Sequence, residues 1–229
     1  MTTIGLLRMC ELSPPAIRAH GDYVTVFRDF YGDRSVDIVD IPVHEGATPG
    51  SVDDHDAWVI SGSQASVYED LDWIRTGQDI VTELLATERP VFGICFGHQL
   101  MAQALGGRVE RATVGWGVGV HRYDVVEPPP TMATAPASIG VLALHQDQVV
   151  EAPADSSVWA TSEFCPIAGL TFGERAWSIQ PHPEFTARIV EALCHDRRDR
   201  MGGDVTDAAL ATLSDPLDGH LLADAGVAR

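Results

Sequence analysis

Cys95 lies in the run Gly93-Ile94-Cys95-Phe96-Gly97-His98-Gln99, between a short apolar stretch and a segment of helical spacing. A reactive side chain with glycine two places before and two places after suits a strand-to-helix nucleophile elbow, here with sulfur in place of oxygen. The small residues let neighbouring backbones pass, and the tight turn lifts the sulfur above a sheet. A helix N-terminus at this point favours thiolate over thiol. The next backbone N–H, that of Phe96, is left free to meet an oxyanion. Taken alone, Cys95 reads equally as a small buried hydrophobe at a strand end. Cys10, Cys165 and Cys194 read as packing residues.

A thiol nucleophile needs a proton acceptor, and the acceptor needs holding. Among nine histidines, His182 has the most suitable setting, in Ser178-Ile179-Gln180-Pro181-His182-Pro183-Glu184-Phe185. In an extended segment residues i and i+2 face the same side, which puts Glu184 beside His182. A carboxylate there fixes the tautomer and stabilises the imidazolium. The two flanking prolines restrict the backbone and help to aim the ring. No second histidine or acid at helical spacing joins them as a metal ligand set, so no metal is expected.

These residues need elements to position them. Buried strands are expected over 4–9, 36–43, 56–60 and 90–94, with helices over about 14–31, 71–89 and 97–105 between them. Gly106-Gly107 stops the last of these helices. Alternating strand and helix argues an α/β fold, with a mostly parallel sheet flanked by helices on both faces. The second half is richer in strands, over 118–126, 139–144, 158–161, 167–172 and 176–179, and their order is open. Pro128-Pro129-Pro130 marks a surface loop. A helix is expected over about 185–200, and one or two short ones after Gly202. No repeat or linker interrupts the chain, so residues 1–229 are expected to form a single domain. Its core would span about 1–190, with a C-terminal helical extension over about 202–229.

Composition bounds the rest. The 229 residues carry 33 acidic and 15 basic side chains, a net charge of −18. That surface repels phosphates, so neither nucleic acid nor an anionic membrane is an expected partner. The four cysteines form no CxxC pair and no regular framework, which argues against a disulfide scaffold or zinc ribbon. The N-terminus lacks a charged segment followed by a long apolar run, and no stretch has the ~18 apolar residues of a membrane helix. A soluble, cytoplasmic protein with reduced thiols is the expectation.

The elbow and His182-Pro183-Glu184 together resemble the class I (triad) glutamine amidotransferases, with a flavodoxin-like fold. The likeness runs over roughly residues 1–190 and points to the amidotransferase domain of GMP synthase and its free-standing relatives. Ile60-Ser61-Gly62-Ser63-Gln64-Ala65-Ser66-Val67-Tyr68 is similar to the family's oxyanion loop. Gly115-Trp116-Gly117-Val118-Gly119 resembles the segment after the elbow helix. His145-Gln146-Asp147-Gln148-Val149 resembles the loop that lines the glutamine pocket.

The resemblance implies Cys95 as nucleophile, His182 as general base and then acid, and Glu184 as its orienter. It implies an oxyanion hole from the N–H groups of Ser63 and Phe96. Gly62, Gln99, His145, Gln146 and Asp147 would contact the substrate, and no cofactor is implied. Two positions depart from the pattern. Gly62-Ser63-Gln64 stands where Gly-Gly-Pro is usual, and Gly117 stands where many relatives have an acid. Three functions stay open: ammonia supply to a separate synthetase subunit, hydrolysis of a γ-glutamyl amide or peptide, and a non-catalytic binding role on the same fold. Nothing in the chain resembles a synthetase domain.

Overall fold

A computed structural model describes residues 1–129, 132 and 135–223. The strands β1 (Thr2–Arg8), β2 (Val36–Pro42), β3 (Ala57–Ile60) and β4 (Val91–Ile94) are short; β1, β3 and β4 are mostly apolar, while β2, at the sheet edge, carries Asp37 and Asp40 and buries only Ile38 and Ile41. All four residues of β3 and of β4 are buried, as strands covered on both faces require. Their side chains alternate between two cores. Ile4, Leu6, Val59, Phe92 and Ile94 face one, and Leu7, Trp58, Ile60 and Val91 face the other.

Helices α1 (Pro14–His20) and α2 (Tyr23–Tyr31) cover the first core. They stand where one helix over 14–31 is expected. Gly21, at φ 106°, ends the first, and the Asp22 carboxylate accepts from Thr25 N at 2.8 Å to cap the second. Helices α3 (Asp72–Leu85) and α4 (Phe96–Ala104) cover the second core. Ile74, Gly77, Ile80, Val81 and Leu84 form the buried stripe of α3, the i, i+3, i+4 pattern of an amphipathic helix.

The second half supplies β5 (Arg108–Arg111), β6 (Gly117–Val125), β7 (Ser138–His145), β8 (Asp147–Glu151), β9 (Ser157–Thr161), β10 (Gly169–Phe172) and β11 (Ala176–Ile179). The large sheet runs β2-β1-β3-β4-β11-β10-β9-β6-β7. Its pairings from β2 through β11 are parallel, and those from β11 to β7 are antiparallel. The late strand β11 thus lies against β4, which carries the elbow. β5 and β8 form a separate antiparallel pair. Neither was expected: β5 buries one residue, Val109, and β8 buries two, too few to show a pattern. Pro130 lies outside the described residues.

Helices α5 (Ala187–Asp196), α6 (Arg198–Met201) and α7 (Gly203–Thr212) follow β11. The residues after them belong to the packing. Asp218 accepts from Gly140 N at 2.8 Å, Gly219 packs against Pro183, and Leu222 is fully buried. Residues 224–229 of the expected extension lie outside the described residues.

Candidate active site

The elbow forms as the residue types predict. Cys95 caps the N-terminus of α4 at φ 53°, ψ −102°, and among the described residues no other non-glycine has positive φ. Such a backbone costs about 1–3 kcal/mol. The flanking glycines are steric requirements. A Cβ on Gly97 would lie 2.4 Å from the Ile60 carbonyl oxygen, and one on Gly93 would lie 2.9 Å from the Gly97 backbone. Cys95 N donates to Ile179 O at 2.9 Å, which ties the elbow to the end of β11.

Three residues beyond that bond lies His182. Its N–H donates to Leu142 O at 2.7 Å, and its Nδ1 lies 2.8 Å from Glu184 Oε1. The Phe185 ring stacks on the imidazole, centroids 4.1 Å apart and planes nearly parallel. The pairing with Glu184 is the expected one, but the route differs. His182 to Phe185 is a turn, closed by Phe185 N to His182 O at 3.4 Å, and the carboxylate folds back onto the ring. Both side chains are buried.

The remaining predicted residues gather around Cys95. Gly62 lies where a Cβ would come within 2.7 Å of His182 Cε1 and 3.6 Å of Cys95 Cβ. Cys95 and His182 are therefore neighbours across Gly62. A cleft of about 480 Å³ is lined by Cys95, Ser63, Gln99, His145, Gln146 and Asp147, together with Trp116, Arg111, Arg197 and Arg200. A second, of about 300 Å³, holds His182, Cys10 and Tyr23 and shares Ser63, Gln64, Leu144 and Arg197 with the first.

Two of these side chains have structural work already. Gln99 Nε2 donates to Asp147 O (2.9 Å) and to Gln180 Oε1 (3.1 Å). The Asp147 carboxylate accepts from Ser66 Oγ (2.5 Å) and Tyr68 OH (3.1 Å), fastening the loop after β3 to the start of β8. Gly117, one of the two departures from the expected family pattern, has no room for a larger side chain. A Cβ there would lie 2.6 Å from the Phe164 ring and 3.1 Å from His145 Nε2. The arginines at the cleft carry no signal that periodicity or motif reveals.

The electrostatics separate three histidines. Burial opposes a charged ring at His182, but the Glu184 carboxylate and Cys95 outweigh it and push the ring up to about 10. Burial without a nearby carboxylate brings His98 and His145 down to about 3. His98 Nδ1 lies 2.8 Å from Ser178 Oγ and Nε2 lies 3.2 Å from Ile167 O, so the neutral ring donates at Nε2 and accepts at Nδ1.

The signs are opposite. Between pH 6.5 and 3 the unfolded chain protonates at His98 and His145 and the folded chain does not, so stability falls with falling pH. Each contributes up to about 1.4 kcal/mol per pH unit. His182 is the reverse: its contribution is full below pH 6.5 and is lost as pH rises towards about 10. Urea unfolding from pH 7 to 4 is expected to show the acid loss, and His98→Gln should reduce its slope. An unchanged slope would mean that His98 titrates normally in the folded chain.

Glu11, His44 and Glu45 bring their ligand atoms close together, but Arg8 is already ion-paired to both carboxylates.

The chain belongs to the class-I glutamine amidotransferases, whose family model matches residues 31–192. It is 31% identical to gamma-glutamyl peptidase 5 of Arabidopsis thaliana over 206 residues, 86% of this chain and 82% of that one. It is 39% identical to the glutamine-hydrolysing GMP synthase of Listeria monocytogenes over 127 residues, 55% of this chain but 23% of that protein. Its fold is similar to that of a glutamine amidotransferase from Thermotoga maritima, with a TM-score of 0.81 over 98% of this chain and 96% of the other, at 19% identity.

Proposed function

We propose that the chain is a hydrolase of γ-glutamyl amide bonds, acting on glutamine and on γ-glutamyl conjugates through a thioester at Cys95. The observation that carries this reading is that Cys95 and His182 meet across Gly62, with the His182 ring held by Glu184 at 2.8 Å.

In the mechanism, the thiol proton already rests on His182, whose ring, against burial, Glu184 and Cys95 push up to about 10, and the Cys95 sulfur attacks the γ-carbonyl carbon. The oxyanion meets the N–H groups of Phe96 and Ser63. Phe96 is the first residue of α4, where a helix leaves its N–H unpaired. The Gly62 carbonyl accepts from Ser61 Oγ at 3.0 Å and Cys10 Sγ at 3.5 Å. A trans peptide then aims the Ser63 N–H the opposite way, which supports a donor role and tolerates the serine in place of glycine. The C–N bond breaks as His182 returns its proton to the leaving nitrogen. Water, deprotonated by His182, then cleaves the thioester to release glutamate. Gly62, Gln99, His145, Gln146 and Asp147 form the wall for the glutamyl end, with Gln99 and Asp147 acting partly through the loops they fasten.

The relatives favour conjugates over a bare ammonia supply. The peptidase match spans most of both chains, whereas the GMP synthase match spans under a quarter of that protein. Ammonia delivery to a separate synthetase is the second reading, favoured by that shorter match. We place the described residues in one catalytic domain and assign it to the cytoplasm; no described helix is long and apolar enough to cross a membrane.

A glutamine-like diazo-ketone is expected to add once, at Cys95, as read by peptide mass spectrometry; labelling chiefly at Cys10 or Cys194 would refute the assignment. Glutamate release from γ-glutamyl dipeptides is expected to exceed that from glutamine. Slow turnover of both, with Cys95 still labelled, favours the synthetase-coupled reading.

A further inference from the structure

We propose that Arg197 and Arg200 form a subsite for an anionic group on the amine side of the scissile bond, so that the preferred substrates are γ-glutamyl compounds whose leaving amine carries a carboxylate. This rests on the γ-glutamyl hydrolase reading and names the substrate class of that site.

Arg197 caps α6, and Arg200 lies three residues further on, one turn away. Between them Arg198 points elsewhere and is held by both oxygens of Asp207, at 2.6 and 2.9 Å. Arg197 and Arg200 have no carboxylate within ion-pairing distance among the described residues, and Arg197 Nε is buried without a hydrogen-bond partner. In a chain of net charge −18, two neighbouring cations left without acids are unusual. Desolvating an unpaired charge is costly. Burial is the largest effect and lowers the Arg197 pKa, Arg200 adds to it, and Tyr23, Cys10 and Asp196 offset only part of it. An anion placed between them would relieve both effects with charge-assisted, bidentate bonds.

Their position relative to the reacting atoms selects the leaving-group side. Arg197 lines both the Cys95 cleft and the adjoining cavity that holds His182. His182 hands its proton to the departing nitrogen, so whatever hangs from that nitrogen lies towards Arg197. Arg200 is steadied by Trp116, its guanidinium carbon 5.3 Å from the ring centroid. The acids that border these cavities are engaged elsewhere: Glu11 with Arg8, and Asp147 with Ser66 and Tyr68. Arg111 pairs in register with Asp147 across β5 and β8, on the wall given to the glutamyl end. Ammonia, the leaving group of glutamine, has no use for two cations at this place.

The test compares γ-glutamylglycine with γ-glutamylglycinamide, which differ by one negative charge on the amine side. The wild-type chain is expected to favour the acid by about tenfold in kcat/KM, mostly through KM, in line with one charge-assisted contact worth about 1.4 kcal/mol. Arg197→Gln and Arg200→Gln should each bring the ratio towards one by weakening the acid. Arg200 is exposed, so its variant stays informative if Arg197→Gln folds poorly. Equal use of both compounds by the wild type, or equal losses on both in the variants, would overturn the proposal. So would losses that follow the α-carboxylate, read with the α-amide of the glutamyl residue, since the arginines would then serve the other end.

Calorimetry on Cys95→Ala separates this proposal from the hydrolase reading. Binding of γ-glutamylglycine about tenfold tighter than its amide, lost on adding Arg200→Gln, supports the subsite whether or not turnover is found. Equal binding of the two sinks it even if the chain hydrolyses γ-glutamyl compounds.

Discussion

Cys95→Ala lowers kcat/KM for γ-glutamyl compounds by about 10⁴-fold or more, the scale of losing a triad nucleophile, while the fold survives. The sulfur is the only atom lost, and the Cys95 main chain keeps its bond to Ile179 O. Alanine inherits the strained backbone at φ 53°, ψ −102°, whereas glycine would not. Cys95→Gly should therefore exceed Cys95→Ala in stability by about 1 kcal/mol in urea unfolding, although both are inactive. This pairing tests two claims at once. Activity within tenfold of wild type in either variant would remove Cys95 from the chemistry. A glycine variant less stable than the alanine variant would mean that the elbow is not strained.

Gly62→Ala is expected to cost about 10²-fold in kcat while changing KM little. The added methyl would stand 2.7 Å from His182 Cε1, so something must move. The imidazole has little freedom to do so. It is bonded to Glu184, covered by Phe185 and anchored through its own N–H to Leu142 O. Displacement of about an ångström at a proton-transferring group carries a rate cost of this order. Overpacking should lower stability by about 1–3 kcal/mol. Steady-state kinetics and the rate of Cys95 alkylation by iodoacetamide, measured together, check the claim. Kinetics within threefold of wild type would mean that the site absorbs the methyl elsewhere.

Local features were the readable ones. The elbow is a set of steric demands within five residues, so Gly93, Cys95 and Gly97 declare it in one line of sequence. The His182–Glu184 pairing was also visible, although a turn rather than an extended strand produces it. The break at Gly21-Asp22 had a cue, a glycine followed by a capping aspartate, that the surrounding helical spacing masked. What needed the third dimension was the placement of β11 against β4, because that neighbourhood joins segments 85 residues apart. The β5–β8 pair joins two segments too short to show alternation. Arg197 and Arg200 looked like ordinary solvated charges on a helix. Only the cavities show that both border the Cys95 cleft, that Arg197 also borders the His182 cavity, and that neither has a carboxylate partner among the described residues.

The bond between Cys95 N and Ile179 O has a consequence for how such an enzyme can diversify. It fastens the two arms proposed to react to adjacent strands at the centre of the sheet, where amides generally exchange with solvent only when the whole fold opens. Arg197 caps a four-residue helix outside the sheet and Arg200 stands on it, and short peripheral elements generally open at lower cost than core strands. On the proposed assignments, bond-breaking and choice of cargo therefore sit on parts of different rigidity. A lineage could trade one leaving group for another by altering α6, and the apparatus that cuts would not register the exchange.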